Sequence, residues 1–278
     1  MRKSYIRLTL KYLVLIAFAI LFLYPFLWII SGSLKDQQDL FNSISLIPHR
    51  FVTENYPRAF IEGRLGQYYL NSIIIAGISL LVLLVATYLA SYALVRIKVP
   101  GSRWIMTAFV GCMMVPMQVI VIPLYKLEAA IHINNTYLGL IFPYIAGTLP
   151  FAIFVMTAFL KTIPMEIEES GLIDGCNRFQ ILYKLLLPLS KPGFATVLIF
   201  SFMTIWNEFF LAMIIMQDKS KGTLNVGLMS FKQSFGGIGM DPNLTFAALT
   251  MISLPVIIVY AIFQRQFISG LVAGSVKA

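Results

Sequence analysis

The segment at residues 161–193 reads KTIPMEIEESGLIDGCNRFQILYKLLLPLSKPG and separates two long apolar runs. Thr162 is a potential N-cap, Pro164 suits a first helical turn, and three glutamates follow where the helix dipole favours anions. These features predict a first short helix. Asp174 and Gly175 predict its end, because glycine tolerates the left-handed conformation that closes a helix.

A second short helix is predicted in the remainder of this segment. Asn177 is a suitable N-cap for it, and Pro188 is expected to terminate it after Leu187. On the first helix, Ser170 and Gly171 leave a patch without bulky side chains, where another protein surface can approach closely. The segment is therefore expected to form two short helices joined by a turn.

Six apolar stretches occur along the chain, each with the roughly 20 residues that a helix needs to cross a ~30 Å hydrocarbon core. Five of them lack charged residues, and one contains Glu208. The sequence predicts an all-α membrane protein in which residues 1–278 form one transmembrane domain. We expect six transmembrane helices near residues 12–32, 70–95, 104–126, 138–160, 193–217 and 245–264, with a loop at 161–192 between the fourth and fifth.

The composition indicates that lipid surrounds most of the chain. Hydrophobic residues make up 59% of the sequence and charged residues only 12%, whereas soluble domains carry about 25% charged residues. The net charge is +9, but the basic residues lie between apolar runs and do not form a stripe interleaved with aromatic residues. Nucleic acid is therefore not an expected partner, and the lipid bilayer is.

The distribution of lysine and arginine predicts the orientation. With a cytoplasmic N-terminus, 13 of these residues lie in cytoplasmic segments and 8 in external ones, as the positive-inside rule requires. Six spans then place both termini in the cytoplasm. The first stretch exceeds the ~7–15 residues of a signal-peptide core and is expected to be an uncleaved anchor. The external loop at residues 33–68 is expected to be structured.

The sequence contains no recognisable catalytic or metal-binding motif. It lacks the phosphate loop G-x-x-x-x-G-K-[ST] and the H-E-x-x-H and G-x-S-x-G motifs. Cys112 and Cys176 belong to no C-x-x-C pair, and His49 and His132 are isolated. The chain is therefore expected to be no enzyme and to hold no metal or cofactor of its own.

The loop at 161–192 resembles the Glu-Ala-Ala signature of bacterial ABC importer permeases. That signature reads E-A-A, three residues, G, nine residues, then I-x-L-P. The substitutions in this chain keep small residues small and apolar residues apolar. The matching residues are Glu169, Ser170 and Gly171 in the E-A-A place, Gly175 in the glycine place, and Leu185, Leu187 and Pro188 at the end.

The resemblance implies that this loop docks onto a cytoplasmic ATPase subunit. Glu169 and Asp174 are then polar anchors and Gly175 is a hinge. The alternative is an amphipathic loop that only caps the helix bundle. The residues expected to couple the chain to the ATPase are Glu169, Ser170, Gly171, Asp174, Gly175, Leu185 and Pro188.

Two further segments resemble the carbohydrate importers of the maltose-transporter type. Trp206, Asn207 and Glu208 match a W-N-E motif, and the tail from residue 264 matches Q-R-x-F…G-x-x-x-G-x-V-K. The W-N-E residues are candidates for the substrate path, because sugars bind to polar groups and aromatic rings. A carboxylate inside a membrane is costly and often functional, whereas the alternative for Glu208 is a structural hydrogen bond or a position near the interface.

The external loop at residues 218–244 contains the glycine-rich stretch SFGGIGM. In the maltose-type family the corresponding loop reaches into the solute-binding protein. The resemblance therefore implies that Gly236 and Gly237 contact such a protein, while an ordinary flexible loop is the alternative.

These features predict a permease subunit of a sugar-importing ABC transporter in a bacterial plasma membrane. The resemblance implies four partner chains: a second homologous permease, two ATPase subunits that bind ATP and Mg, and an extracellular solute-binding protein. One alternative is a permease for glycerol-phosphate or another polar solute. Another is an ion-coupled secondary carrier, although such carriers usually show inverted repeats and several buried ionisable residues. For an intramembrane enzyme the sequence provides no catalytic constellation.

Overall fold

The computed structural model describes residues 2–97, 99–234 and 241–275, with side chains for 7–97, 99–229 and 241–264. Within these ranges the regular structure is helical. A π-helical segment at Ala93–Ile97 follows α4, and a second one at Ile181–Leu186 follows α9. A 3-10 turn at Lys219–Lys221 precedes α13. The α-helices are α1 (Arg2–Ser33), α2 (Gln37–Asn42), α3 (Asn55–Ile61), α4 (Leu65–Tyr92), α5 (Ser102–Cys112), α6 (Met117–Ala130), α7 (Tyr137–Leu160), α8 (Glu166–Ile173), α9 (Arg178–Gln180), α10 (Leu187–Leu189), α11 (Lys191–Trp206), α12 (Phe210–Ile215), α13 (Leu224–Ser234) and α14 (Pro242–Ser275).

Four of the predicted membrane spans are single long helices. The helices α1, α4, α7 and α14 are each long and apolar enough to cross a bilayer. They confirm the predicted spans near 12–32, 70–95, 138–160 and 245–264. Two further helix pairs are bent, and counting each pair as one span gives 6 spans within the described residues. The chain is thus an all-α, multi-pass membrane protein.

The third predicted span, near 104–126, is not one continuous helix. Its halves α5 and α6 are bent by 98°. Pro116 immediately precedes α6 in an extended conformation. Proline has no N–H for the helical ladder of α5 and disfavours a helical conformation in the residue before it. The span predicted near 104–126 is therefore a bent helix pair and not one straight helix.

The fifth predicted span, near 193–217, is also interrupted. Helix α11 ends at Trp206, and α12 begins at Phe210. At its other end, α11 is joined by a 71° bend to the helical segment Arg178–Leu189 of the loop. The single predicted helix is thus a 16-residue helix followed by a 6-residue one.

The described residues of the chain pack into two compact units. One comprises Met1–Gln67 and Gly227–Leu254, and the other comprises Tyr68–Val226 and Pro255–Ala278. The predicted single domain over residues 1–278 stays a prediction.

In the first unit, the loop at 33–68 is structured as expected, since it contains α2 and α3. Asn55 Nδ2 donates hydrogen bonds to the carbonyl oxygens of Ser33 and Lys35, both at 2.9 Å. Asn243 Nδ2 donates to the same Lys35 oxygen at 2.8 Å. Two buried asparagines therefore satisfy carbonyl groups where α1 ends, groups that a helix leaves without internal partners.

In the second unit, a hydrophobic core joins α4 and α7 to α11 and to the 161–192 loop. Burying a large apolar side chain stabilises a fold by about 1.5–3 kcal/mol. The loop is therefore fixed to the membrane spans by packing. The core includes the buried side chains of Leu83, Tyr88, Met156, Leu160, Ile181, Leu182, Leu186 and Val197.

Candidate functional site

The first helix of the 161–192 loop forms as predicted, but its predicted N-cap is wrong. Helix α8 begins at Glu166, and the residue before it, Met165, makes no side-chain capping bond. Thr162 Oγ1 instead donates to the carbonyl oxygen of Phe159 at 2.7 Å, at the end of α7. The threonine hydroxyl thus bonds backward to the preceding helix, as threonine often does near a helix terminus.

The turn at Gly175 confirms the predicted break between the two arms of the loop. Gly175 has a φ of +81°, and a Cβ built on it would meet no atom within 4 Å. Glycine is therefore required at position 175 by the left-handed backbone conformation and not by crowding from neighbouring atoms. Asn177 then caps the second arm, since its side chain and that of Gln180 exchange hydrogen bonds with each other's backbone N–H groups, both at 2.8 Å.

The second arm runs further than predicted. After α9 the backbone forms a π-helix, in which Leu187 N–H bonds to the carbonyl oxygen of Leu182. Helical structure continues through Pro188 to Leu189, and Ser190 N–H bonds to the Leu186 oxygen at 2.8 Å. Pro188 therefore does not terminate this arm at Leu187, and the chain turns at Ser190 instead.

Gly171 is covered by the loop's own second arm. It is buried, and a Cβ at this position would lie 2.6 Å from Leu185 Cδ1 and 3.4 Å from Ile181 Cγ1. The predicted open patch is therefore limited to Ser170, which is exposed. Close packing between the two arms explains the small residue at 171.

The remaining predicted contact residues lie mostly on the surface of the loop. Leu185 is half-buried, whereas Glu169, Asp174, Gly175 and Pro188 are exposed. Large apolar side chains accompany them, and no motif in the sequence marks these side chains. Ile173 is 86% exposed and Phe179 is 72% exposed. The available signal was their place beside polar residues, since Ile173 precedes an aspartate and Phe179 lies between an arginine and a glutamine.

Arg96 anchors the loop to the end of α4, which the sequence analysis also missed. Its Nε atom lies 2.7 Å from Glu168 Oε1 in an ion pair whose side chains are 6% and 10% exposed. Burial raises the pKa of the Glu168 carboxyl, while Arg96 and Arg178 act in the opposite direction. From the sequence, Glu168 is only one of three acidic residues near a helix start.

Glu208 lies in the break between α11 and α12, and its side chain bonds to the first turn of α12. Its carboxylate accepts hydrogen bonds from the N–H groups of Leu211 at 2.7 Å and Ala212 at 3.1 Å. Tyr144 Oη, on α7, donates to the same carboxylate at 2.7 Å. The geometry therefore shows a structural role for Glu208, one of the two alternatives considered above. A role in the substrate path stays a prediction.

The other W-N-E residues are placed differently from each other. Trp206 is buried, with its ring stacked on Phe202 at a centroid distance of 5.3 Å. Asn207 is exposed, and its Nδ2 atom donates to the Met203 oxygen at 2.8 Å. Of the three candidates for the substrate path, Asn207 alone is exposed. Gly236 and Gly237 lie outside the described residues.

A cleft of about 560 Å³ opens beside the bend between α5 and α6. Its walls are apolar, and among the described lining residues Cys112 alone has a side chain with a polar hydrogen. A sugar site needs several placed hydrogen-bonding groups, so this cleft does not fit one. The lining includes Cys112, Met117, Ile120, Pro123, Pro143 and Pro150.

The chain is similar to a defined family of transport proteins. Residues 82–272 match the family described as binding-protein-dependent transport system inner membrane component. The chain is 31% identical to the diacetylchitobiose uptake system permease protein NgcG of Streptomyces coelicolor, over 95% of this chain and 85% of that protein. It is 34% identical to the trehalose transport system permease protein SugB of Mycobacterium tuberculosis, over 92% of each. Both relatives are named as transport permeases and not as enzymes.

The fold is also similar to that of a solved transporter. A chain in the crystal structure of a bacterial ABC transporter involved in the import of the acidic polysaccharide alginate superposes with a TM-score of 0.80. The match covers 96% of this chain and 98% of the other at 23% identity. At this identity the likeness is one of fold.

Proposed function

The chain belongs to the family of binding-protein-dependent transport system inner membrane components, and from this membership we propose its function. It is the membrane-spanning permease subunit of an ATP-driven ABC importer that takes up a sugar or oligosaccharide. The relatives named for diacetylchitobiose and trehalose support the carbohydrate class of substrate. The protein lies in a bacterial plasma membrane, with both termini and the 161–192 loop in the cytoplasm.

The surface of the 161–192 loop is the observation that carries this proposal. Glu169 and Asp174 are exposed next to the apolar side chains of Ile173 and Phe179. Large exposed apolar groups beside charges are typical of a protein–protein contact. Because the loop is also packed into the core of its unit, a partner bound there is connected to the membrane spans.

The proposed complex contains this chain, a second homologous permease, two ATPase subunits and an extracellular solute-binding protein. The ATPase subunits bind ATP and Mg, so this chain needs no cofactor of its own. Closing of the ATPase pair moves the loop and, with it, the spans that enclose the path. Asn207, exposed at the break in the fifth span, is the W-N-E residue best placed to meet a solute.

The first experiment is gentle detergent purification of the complex from its native membrane, with mass spectrometry of the co-purifying chains. We expect an ATPase subunit with the wild-type chain. Its recovery should fall at least roughly ten-fold in Glu169→Lys, which reverses an interface charge, and in Gly175→Pro, which forbids the positive φ. Glu54→Lys, at an exposed glutamate in the 33–68 loop, is the matched control and should retain the subunit.

Two results would contradict the proposal. One is recovery of folded wild-type chain without any ATPase subunit, which would favour an ion-coupled carrier. The other is equal recovery of the subunit in Glu169→Lys, Gly175→Pro and the control, which would place the contact elsewhere. Uptake of glycerol phosphate but not of oligosaccharides by the intact complex would replace the sugar with the alternative polar solute.

A further inference from the structure

The end of α4 contacts both arms of the 161–192 loop. Tyr88 Oη donates a hydrogen bond to the Leu182 oxygen, in the second arm, at 2.8 Å. Arg96, in the π-helical segment that continues α4, pairs with Glu168 in the first arm at 2.7 Å. One membrane-spanning helix therefore contacts each arm through a polar side chain.

The Arg96 guanidinium joins more than two groups. Its Nη2 atom donates to the carbonyl oxygens of Leu160 at 2.9 Å and Ile163 at 2.7 Å. Leu160 is the last residue of α7, and Ile163 lies in the connection to α8. A planar guanidinium fixes the directions of its hydrogen bonds, so this side chain sets the positions of α7, the connection and α8 relative to one another.

The burial of this ion pair indicates that it serves geometry more than stability. Both side chains are at most 10% exposed. Removing two charges from water is costly, and an apolar pair of similar volume often stabilises a fold as well or better. An apolar pair would also slide more easily, whereas the Nη2 hydrogen bonds to Leu160 and Ile163 fix the orientation of the Arg96 guanidinium beside Glu168. Arg178 is a further charge acting on Glu168.

We propose that the Arg96–Glu168 ion pair is the positioning contact through which displacement of the loop is passed to α4. This inference rests on the proposed function, in which an ATPase subunit binds and moves the loop. Because the pair is buried, it is separate from the exposed docking surface at Glu169 and Ile173. Loss of the pair therefore leaves the ATPase subunit bound and the second arm packed against α4, but frees the first arm, α8, to move relative to α4.

The test measures whether α4 follows the loop when ATP binds. Spin labels are placed at Leu81→Cys on α4 and Glu166→Cys on α8, both at exposed positions, with Cys112 and Cys176 replaced by serine. The distance between the labels is measured in the purified complex without nucleotide and with ATP and vanadate. The pair is then removed by Glu168→Gln or Arg96→Gln, and Arg103→Gln, at an exposed arginine, is the matched control.

With the pair intact, and in the control, we expect one distance that ATP does not change. In Glu168→Gln and Arg96→Gln we expect normal recovery of the ATPase subunit but a second distance when ATP and vanadate are added. Stimulation of ATP hydrolysis by the solute-binding protein should also fall about five-fold or more in both variants. Glu168→Gln keeps the shape of the side chain, so of the two variants it is the one expected to disturb folding less.

Unchanged distances and unchanged stimulation in both variants would overturn the inference and leave the pair a purely structural role. Loss of the ATPase subunit from both variants would overturn it too, because the pair would then hold the docking surface. Absence of an ATPase subunit from the wild-type complex is a different result, and it contradicts the proposed function itself.

Discussion

At the scale of single residues, two glycines of α7 are subject to different constraints. A Cβ on Gly139 would lie 2.7 Å from the backbone oxygen of Ile133, which cannot move without moving the chain. A Cβ on Gly147 would meet no atom within 4 Å. The same helix therefore contains one glycine that packing requires and one that it does not.

We expect Gly139→Ala to destabilise the protein by about 1–3 kcal/mol, the usual cost of forcing a group into a packed site. Gly147→Ala should be neutral or stabilising by up to about 1 kcal/mol, because alanine favours helix over glycine. Thermal unfolding of the purified protein in detergent measures both changes. Equal melting temperatures for the two variants would show that α7 is not packed as described.

Glu208 shows how far single residues can be interpreted from sequence. Its isolation in an apolar run predicted a special role, and the structure provides one in the N–H groups of Leu211 and Ala212. The sequence did not predict that the helix ends before it. Hydropathy counts apolar side chains, and the residues on both sides of this break are equally apolar.

At the scale of elements, α2 and the chain that follows it are joined by Asp39. Its carboxylate accepts the backbone N–H of His49 at 3.0 Å and contacts the ring Nδ1 at 2.6 Å. The backbone and side-chain hydrogen bonds from His49 hold the pKa of Asp39 below its ordinary value. The stabilisation is therefore complete above the ordinary pKa and is lost as the pH falls through the lowered one.

We expect acidification below pH about 4 to loosen the segment between α2 and His49. Limited proteolysis of the purified protein between pH 6 and pH 3, with an acid-active protease, measures this opening. The Asp39→Asn protein should be cleaved faster than the wild type at pH 6, and its cleavage rate should change much less with pH. Glu54→Gln, at an exposed carboxyl, should behave like the wild type, and parallel profiles for all three proteins would contradict the assignment.

The predicted elements differ in how well sequence could place them. The caps and turn at Gly175 and Asn177 were predicted, because their conformations depend on neighbouring residues in the chain. The π-helical second arm and the burial of Gly171 against Leu185 were not, since they depend on packing between segments. The Arg96–Glu168 pair was missed for the same reason.

At the scale of the whole molecule, the predicted orientation places the 161–192 loop inside the cell and the 33–68 loop outside. The chain has two cysteines, and Cys176 lies partly exposed in the first of these loops. Ile44, in the second, is 86% exposed. Single thiols at these two positions therefore report opposite faces of the membrane.

We expect a membrane-impermeant maleimide to label Ile44→Cys in right-side-out vesicles when both native cysteines are replaced by serine. In Cys112→Ser, which retains Cys176, labelling should require permeabilisation, because the charge bias places this loop in the cytoplasm. A gel shift of the labelled chain measures the extent of labelling at each of the two positions. The reverse pattern would invert the orientation and remove the 161–192 loop from any cytoplasmic ATPase.

The bend between α5 and α6 has a consequence for the fit of the protein to its membrane. At 1.5 Å per residue the two helices are about 17 Å and 21 Å long, and at 98° their combined reach, without the connecting residues 113–116, is about 25 Å. A typical hydrocarbon core is about 30 Å thick. Counted as one span, the pair therefore needs its connecting residues or a locally thinner bilayer to match the hydrocarbon core.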